Sequence, residues 1–220
     1  MSKKRAASRQ TPQTYQHTLE LRYLLFLPQD YGKKPDEKWP LILFLHGIGE
    51  RGDDLELVKV HGIAKIVETR PDFPFVVVSP QCPNGTLWSD HHLSLKGMLE
   101  QVIGSYAVDP DRVYLTGLSM GGYGTWSLAM TYPELFAAIA PICGGGMPEW
   151  VFLLKDMPVW AFHGAEDPAV PVERGQRMVD ALRAAGGDVR FTVYPGCGHD
   201  SWTQTYEDPQ LYEWFLQHKR

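Results

Sequence analysis

The sequence predicts an α/β fold, a mostly parallel twisted sheet with helices on both faces. Three observations carry that expectation. Short continuous apolar runs at residues 40–45, 75–78 and 159–162 read as strands buried on both faces. Segments with apolar residues at helical spacing lie between such runs. The strict alternation of the two is the pattern of parallel strands joined by helical crossovers.

Taken in order, residues 1–13 are polar and read as a disordered tail, and residues 14–220 as a single domain without repeat or linker. Residues 14–27 alternate loosely through Tyr15, Leu19, Leu21, Tyr23, Leu24 and Phe26, as one or two strands at an antiparallel edge. A polar loop over 29–39 precedes the buried strand at 40–45, which runs into His46-Gly47-Ile48-Gly49-Glu50-Arg51-Gly52. A helix is expected over 57–67 despite Gly62, then a strand at 75–78, a loop carrying Trp88, and a helix over 93–106 with Leu95, Met98, Leu99 and Val102 on one face. Val113, Tyr114 and Leu115 form the next strand, followed by a helix with Tyr123, Trp126 and Met130. Strands follow at 136–142, 159–162 and 189–194. Helices follow at 172–185, stopped by Gly186-Gly187, and at 211–218.

Bulk composition narrows the classes. With 220 residues the chain can bury a sizeable core. A net charge of −5, with no basic stripe beyond Lys3-Lys4-Arg5, speaks against nucleic acid as a partner. No apolar run approaches the ~18 residues that cross a bilayer, so no membrane partner is expected. The first residues lack the apolar core of a secretory signal. Three cysteines, Cys82, Cys143 and Cys197, are sparse and odd in number. That suits a reducing compartment, so the cytoplasm is the expected location, although a removed signal would leave no trace.

The chemistry gathers where strands end, which is where ligands bind in such sheets. Gly117-Leu118-Ser119-Met120-Gly121 fits G-x-S-x-G between a strand and a helix. A serine on so tight a turn needs neighbours without side chains, and the turn lifts its hydroxyl above the sheet. A serine hydroxyl is a weak nucleophile. It needs a base within reach, and the base needs a carboxylate to orient it. Two later strand ends supply candidates in the order serine, acid, histidine. Asp167 precedes Pro168, which fixes its loop, and is preferred to Glu166. His199 follows the last strand in a Gly-flanked loop. Ser119 is therefore the expected nucleophile, His199 the base and Asp167 the orienting acid. An oxyanion needs preorganised donors, and the backbone N–H groups of Met120 and Ile48 are the candidates. Glu50 and Arg51 are expected to pair and stiffen the loop after the first buried strand. His91 and His92 have no spaced carboxylate or cysteine to complete a metal set, so no metal is expected.

Together Leu45-His46-Gly47-Ile48-Gly49-Glu50-Arg51-Gly52, the Ser119 motif, His163-Gly164-Ala165-Glu166-Asp167 and Gly198-His199 resemble the α/β-hydrolase superfamily. Within it the chain resembles the small lid-less serine esterases, the phospholipase/carboxylesterase and dienelactone-hydrolase-like group that includes feruloyl-type esterases. The resemblance implies about eight strands with the second antiparallel, a serine hydrolase mechanism and no cofactor. Dienelactone hydrolases use a cysteine nucleophile, whereas this chain has Ser119. The interval 143–158 is too short for a cap domain, so the cleft should be open and suit short-acyl or aryl esters. Trp88, Trp150 and Trp202 are candidates for an aromatic substrate wall. The expected activity is that of a carboxylesterase. Feruloyl or cinnamoyl esterase, acyl thioesterase and oligopeptidase-like hydrolase are the alternatives, with a non-catalytic binding protein as the contrast. The sequence leaves the oligomeric state open.

Overall fold

A computed structural model describes residues 20–34 and 36–220. The expected disordered tail at 1–13, and the part of the edge strand before Glu20, lie outside these residues. Seven strands form one sheet: β1 (Tyr23–Phe26), β2 (Trp39–Leu45), β3 (Val76–Pro80), β4 (Val108–Leu118), β5 (Ala138–Ile142), β6 (Val159–Gly164) and β7 (Val189–Tyr194). Their order is β1-β3-β2-β4-β5-β6-β7. Only β1 runs antiparallel to its neighbour, and the other pairs are parallel. The antiparallel strand is thus the first described one rather than the second, and any strand before it would fall among residues not described.

The helices are α1 (Gly62–Ile66), α2 (His92–Ser105), α3 (Met120–Thr131), α4 (Glu173–Ala184), α5 (Trp202–Glu207) and α6 (Pro209–Leu216). Successive side chains of a strand point to opposite faces, and β2 shows what this builds. Leu41, Leu43 and Leu45 pack into the core shared with α2, α3 and α4. Ile42 and Phe44 pack into the core shared with α1, α5 and α6. All five are fully buried, and each such side chain stabilises the fold by about 1.5–3 kcal/mol. This double burial is why the strand reads as an unbroken apolar run.

The helix expected over 57–67 is broken. Leu55–Val60 is a 3-10 turn, and α1 starts afresh at Gly62. Gly62 has φ +66°, and a Cβ there would lie 2.3 Å from the Phe44 ring. The glycine reverses the chain direction and leaves room for that ring. The terminal helix begins earlier than expected, at Pro209, because Asp208 caps it by accepting from the Gln210 N–H at 2.9 Å. The short helix α5, which precedes it, was not anticipated.

Candidate active site

Ser119 stands between β4 and α3 with φ 54° and ψ −114°, a left-handed backbone unusual for a residue with a side chain. The flanking glycines make the turn possible. A Cβ on Gly121 would lie 1.9 Å from the Leu45 carbonyl oxygen, and one on Gly117 would lie 2.5 Å from the Gly121 oxygen. Strand and helix backbones therefore touch directly. The Ser119 N–H donates to the Ile142 oxygen at 3.0 Å, which pins the turn to β5.

Loops after two further strands bring the partners. His199 Nε2 lies 2.9 Å from Ser119 Oγ, and His199 Nδ1 lies 2.7 Å from Asp167 Oδ2. A carboxylate only accepts, so Nδ1 carries the proton and Nε2 is left to accept from the serine hydroxyl. Asp167 is buried, and its Oδ1 accepts the N–H groups of Ala169 and Val170 at 2.9 Å each. Glu166, the rejected competitor, points to solvent. Asp200 is turned to its own helix, accepting from the Thr203 N–H at 3.0 Å and the Thr203 hydroxyl at 2.9 Å. His163 braces the acid loop by donating from Nε2 to the Val170 oxygen at 2.8 Å. Burial lowers the His163 pKa and keeps the ring neutral.

The sequence reading gave Cys143 no place beside Ser119. It is fully buried with φ 39°, and its Sγ accepts from the Ser119 N–H at 3.3 Å. Burial pushes its pKa up to about 12, so it is a thiol, not a thiolate. Cys143, Asp167 and His199 are the one cluster of metal-ligating donor types among the described residues. The bonds just described already engage both carboxylate oxygens and both ring nitrogens.

Ile48 and Met120 are each the first residue of a helical turn, in Ile48–Glu50 and α3 respectively. An N–H at that position has no acceptor within its own helix. The Ile48 loop is held from several sides. His46 Nδ1–H donates to the Gly47 oxygen at 2.6 Å, leaving Nε2 to accept the Cys82 N–H at 3.0 Å. Burial drives the His46 pKa down to about 4. Gln81 donates to the Glu50 oxygen at 3.0 Å and the Asp54 oxygen at 2.6 Å. The expected Glu50–Arg51 pair does not form. Arg51 donates instead to the carbonyls of Ile48 (3.2 Å) and Thr86 (3.0 Å), and the Glu50 carboxylate lies 3.9 Å from both His46 and His61. Two backbone acceptors suit a guanidinium better here because the carboxylate points into the fold.

A cleft of about 430 Å³ opens beside Ser119, walled by Ile48, Leu87, Trp88, Tyr123, Met130 and Met147. Of the three tryptophans expected at a substrate wall, only Trp88 is there. It is buried, and its Nε1–H donates to the His46 oxygen at 2.9 Å. Trp150 is 53% exposed and lies outside the lining, because its 3-10 turn, Pro148–Leu154, directs Val151 and Leu154 inward. Trp202 stacks edge-on against His199 (5.2 Å) and His61 (5.5 Å) and borders a separate hollow of about 210 Å³. The missed lining residues had a signal. Met120, Tyr123, Ser127 and Met130 recur at three- and four-residue steps along α3, which marks one helical face.

A mostly parallel sheet with a serine at the turn from its central strand into a helix defines an α/β-hydrolase fold. Residues 89–212 match the phospholipase/carboxylesterase family, and the chain belongs to it. It is similar to acyl-protein thioesterase 1 of Gibberella zeae, 32% identical over 128 residues, 52% of this chain and 52% of that one. Carboxylesterase SOBER1 of Arabidopsis thaliana is 27% identical over 191 residues, covering 72% of this chain and 82% of that one. Among solved structures, a thermostable esterase superposes with a TM-score of 0.80 at 39% identity, over 92% of this chain and 60% of that one. The match thus spans about half the length of the fungal thioesterase and three-fifths of the thermostable esterase. No helix among the described residues is long and apolar enough to cross a membrane.

Proposed function

We propose that the protein is a carboxylic-ester hydrolase that forms an acyl-enzyme on Ser119. The observation that carries this reading is the continuous line from Ser119 Oγ to His199 Nε2 (2.9 Å) and from Nδ1 to Asp167 Oδ2 (2.7 Å). His199 takes the hydroxyl proton as Ser119 Oγ attacks the ester carbonyl. Asp167 holds the ring in the tautomer that can accept and stabilises the cation that forms. The negative charge on the carbonyl oxygen meets the N–H groups of Ile48 and Met120, each such donor contributing about 100- to 1,000-fold in turnover. His199 then gives its proton to the departing alcohol. Water repeats the sequence on the acyl-enzyme, releasing the acid and restoring Ser119. Cys143 takes no part as nucleophile, since a buried protonated thiol is unreactive. The apolar cleft next to Ser119 supports a short-acyl or aryl ester as substrate.

A thioester substrate is the second reading, favoured by the similarity to an acyl-protein thioesterase. A panel of p-nitrophenyl acyl esters, methyl ferulate, acyl thioesters and peptide anilides separates these readings. Ester turnover should exceed anilide turnover. Ser119→Ala should lower it by about 10⁵- to 10⁶-fold, as loss of an activated nucleophile does in other serine hydrolases. Near wild-type ester turnover in that variant would sink the assignment.

A further inference from the structure

Two imidazoles face one oxygen of Asp167, and the reaction scheme uses only one of them. Oδ2 lies 2.7 Å from His199 Nδ1 and 3.5 Å from Nε2 of His163, which stands near the end of β6. Only the shorter distance is that of a hydrogen bond of ordinary strength. The His163 N–H goes instead to the Val170 oxygen at 2.8 Å. Val170 in turn donates its own N–H to Asp167 Oδ1 at 2.9 Å. Ring, loop and acid are thus closed on one another, and His163 meets the reaction only through them.

The second ring nitrogen decides the charge of this histidine. Nδ1 is buried and has no hydrogen-bond partner among the described residues. It packs against Gly175 of α4, where a Cβ would lie 2.8 Å from it. A second proton on the ring would sit on Nδ1 without an acceptor, a cost added to that of burying the charge. The ring is therefore neutral. A cation 3.5 Å from Oδ2 would divert the carboxylate's charge from His199. An apolar side chain there would leave the Val170 oxygen without this donor. A neutral donor meets both demands.

We propose that His163 is a positioning residue for the reaction: wedged between Val170 and Gly175, it holds Asp167 so that the carboxylate serves His199 alone. The inference rests on the esterase reading above and adds to it a side chain buried away from any substrate. Its effect is greatest where His199 becomes a cation and the direction of the Asp167 charge counts. Removing it should therefore lower kcat and leave KM nearly unchanged.

The test measures kcat and KM for p-nitrophenyl acetate. His163→Gln carries an uncharged N–H near the place of Nε2 and should keep kcat within about threefold of wild type, since the bond to Val170 survives. His163→Leu has no donor and should lower kcat by about tenfold, the loss expected of one hydrogen bond. Made in Asp167→Asn, and followed in single turnovers, the same change to leucine should cost less than about twofold, because the charge it helped to place is gone. Losses that multiply in the double variant would show a merely structural role and overturn the proposal. A leucine variant with wild-type kcat, or with its whole loss in KM, overturns it too, as does a glutamine variant as slow as the leucine one. If His163→Leu does not fold, Gly175→Ala carries the test. Its methyl group presses on Nδ1 and should lower kcat by at least about threefold at constant KM, although alanine favours a helix. Wild-type kcat in that variant overturns the proposal. All these outcomes leave the esterase reading intact. Wild-type protein inert on p-nitrophenyl acetate and on longer esters overturns both.

Discussion

On one flank of Ser119, four hydrogen bonds of 2.7 to 2.9 Å join the serine, His199, Asp167 and the backbone of Ala169 and Val170. On the other flank, the cleft takes its shape almost entirely from packing, with Trp88, Met130 and Met147 brought in by three separate segments. The first flank rests on the ends of β4, β6 and β7, and the second on one face of α3 and the loops that lean over it. The two should fail differently. Losing one member of a buried polar chain leaves the others unpaired at full cost. A packed wall responds by degrees, according to the volume gained or lost.

The hydrogen-bonded flank should give the larger loss. Asp167→Asn keeps the shape of the acid but favours the wrong tautomer of His199, and should lower kcat by about 10⁴-fold. The variant should still melt cooperatively near the wild-type temperature. A loss below tenfold would show that the polar chain does not act as one unit.

The loop that carries Ile48 joins the two flanks and supplies the next effect. His46 is neutral in the fold with a pKa of about 4, against an ordinary value of 6.5. Between those values the unfolded chain binds a proton that the folded chain does not. Stability is therefore complete above about pH 6.5 and drains away as pH falls toward 4, by roughly 3 kcal/mol in all. Urea midpoints at pH 7 and pH 4.5 measure this, and His46→Gln should lose less over the same interval. Equal losses in the two proteins would remove His46 as the cause.

The smallest effect belongs to the packed wall. Met130→Trp should fill the far end of the cleft and lower the ratio of kcat/KM for p-nitrophenyl octanoate over p-nitrophenyl acetate by about tenfold. An unchanged ratio would mean that the acyl chain lies elsewhere.

The same contrast explains what could be read from the residues. The loops that meet at Ser119 were legible because the backbone demands particular residue types there. Gly117 and Gly121 sit where any Cβ would collide with main chain, and Asp167 and His199 occur at strand ends recognisable by their apolar runs. The buried strands were legible for the same reason, β2 most of all. The cleft was not. Met120, Tyr123 and Met130 have the spacing of a helix core, and they become a wall only because neighbouring segments leave that face uncovered. Trp150 misled in the opposite sense, being close to a strand end along the chain but turned to solvent by the 3-10 turn that buries Val151 and Leu154. The contact of Cys143 with Ser119 was not legible because it depends on the pairing of β5 with β4.

The backbone of Ser119 has one more consequence. Holding a side-chain-bearing residue at φ 54° costs on the order of 1–3 kcal/mol. Glycine would relieve that strain and remove the hydroxyl on which the proposed reaction depends. At this single position durability and turnover pull in opposite directions, and the fold stays short of the most durable sequence it could have. The fully buried strands on either side are what make the concession tolerable.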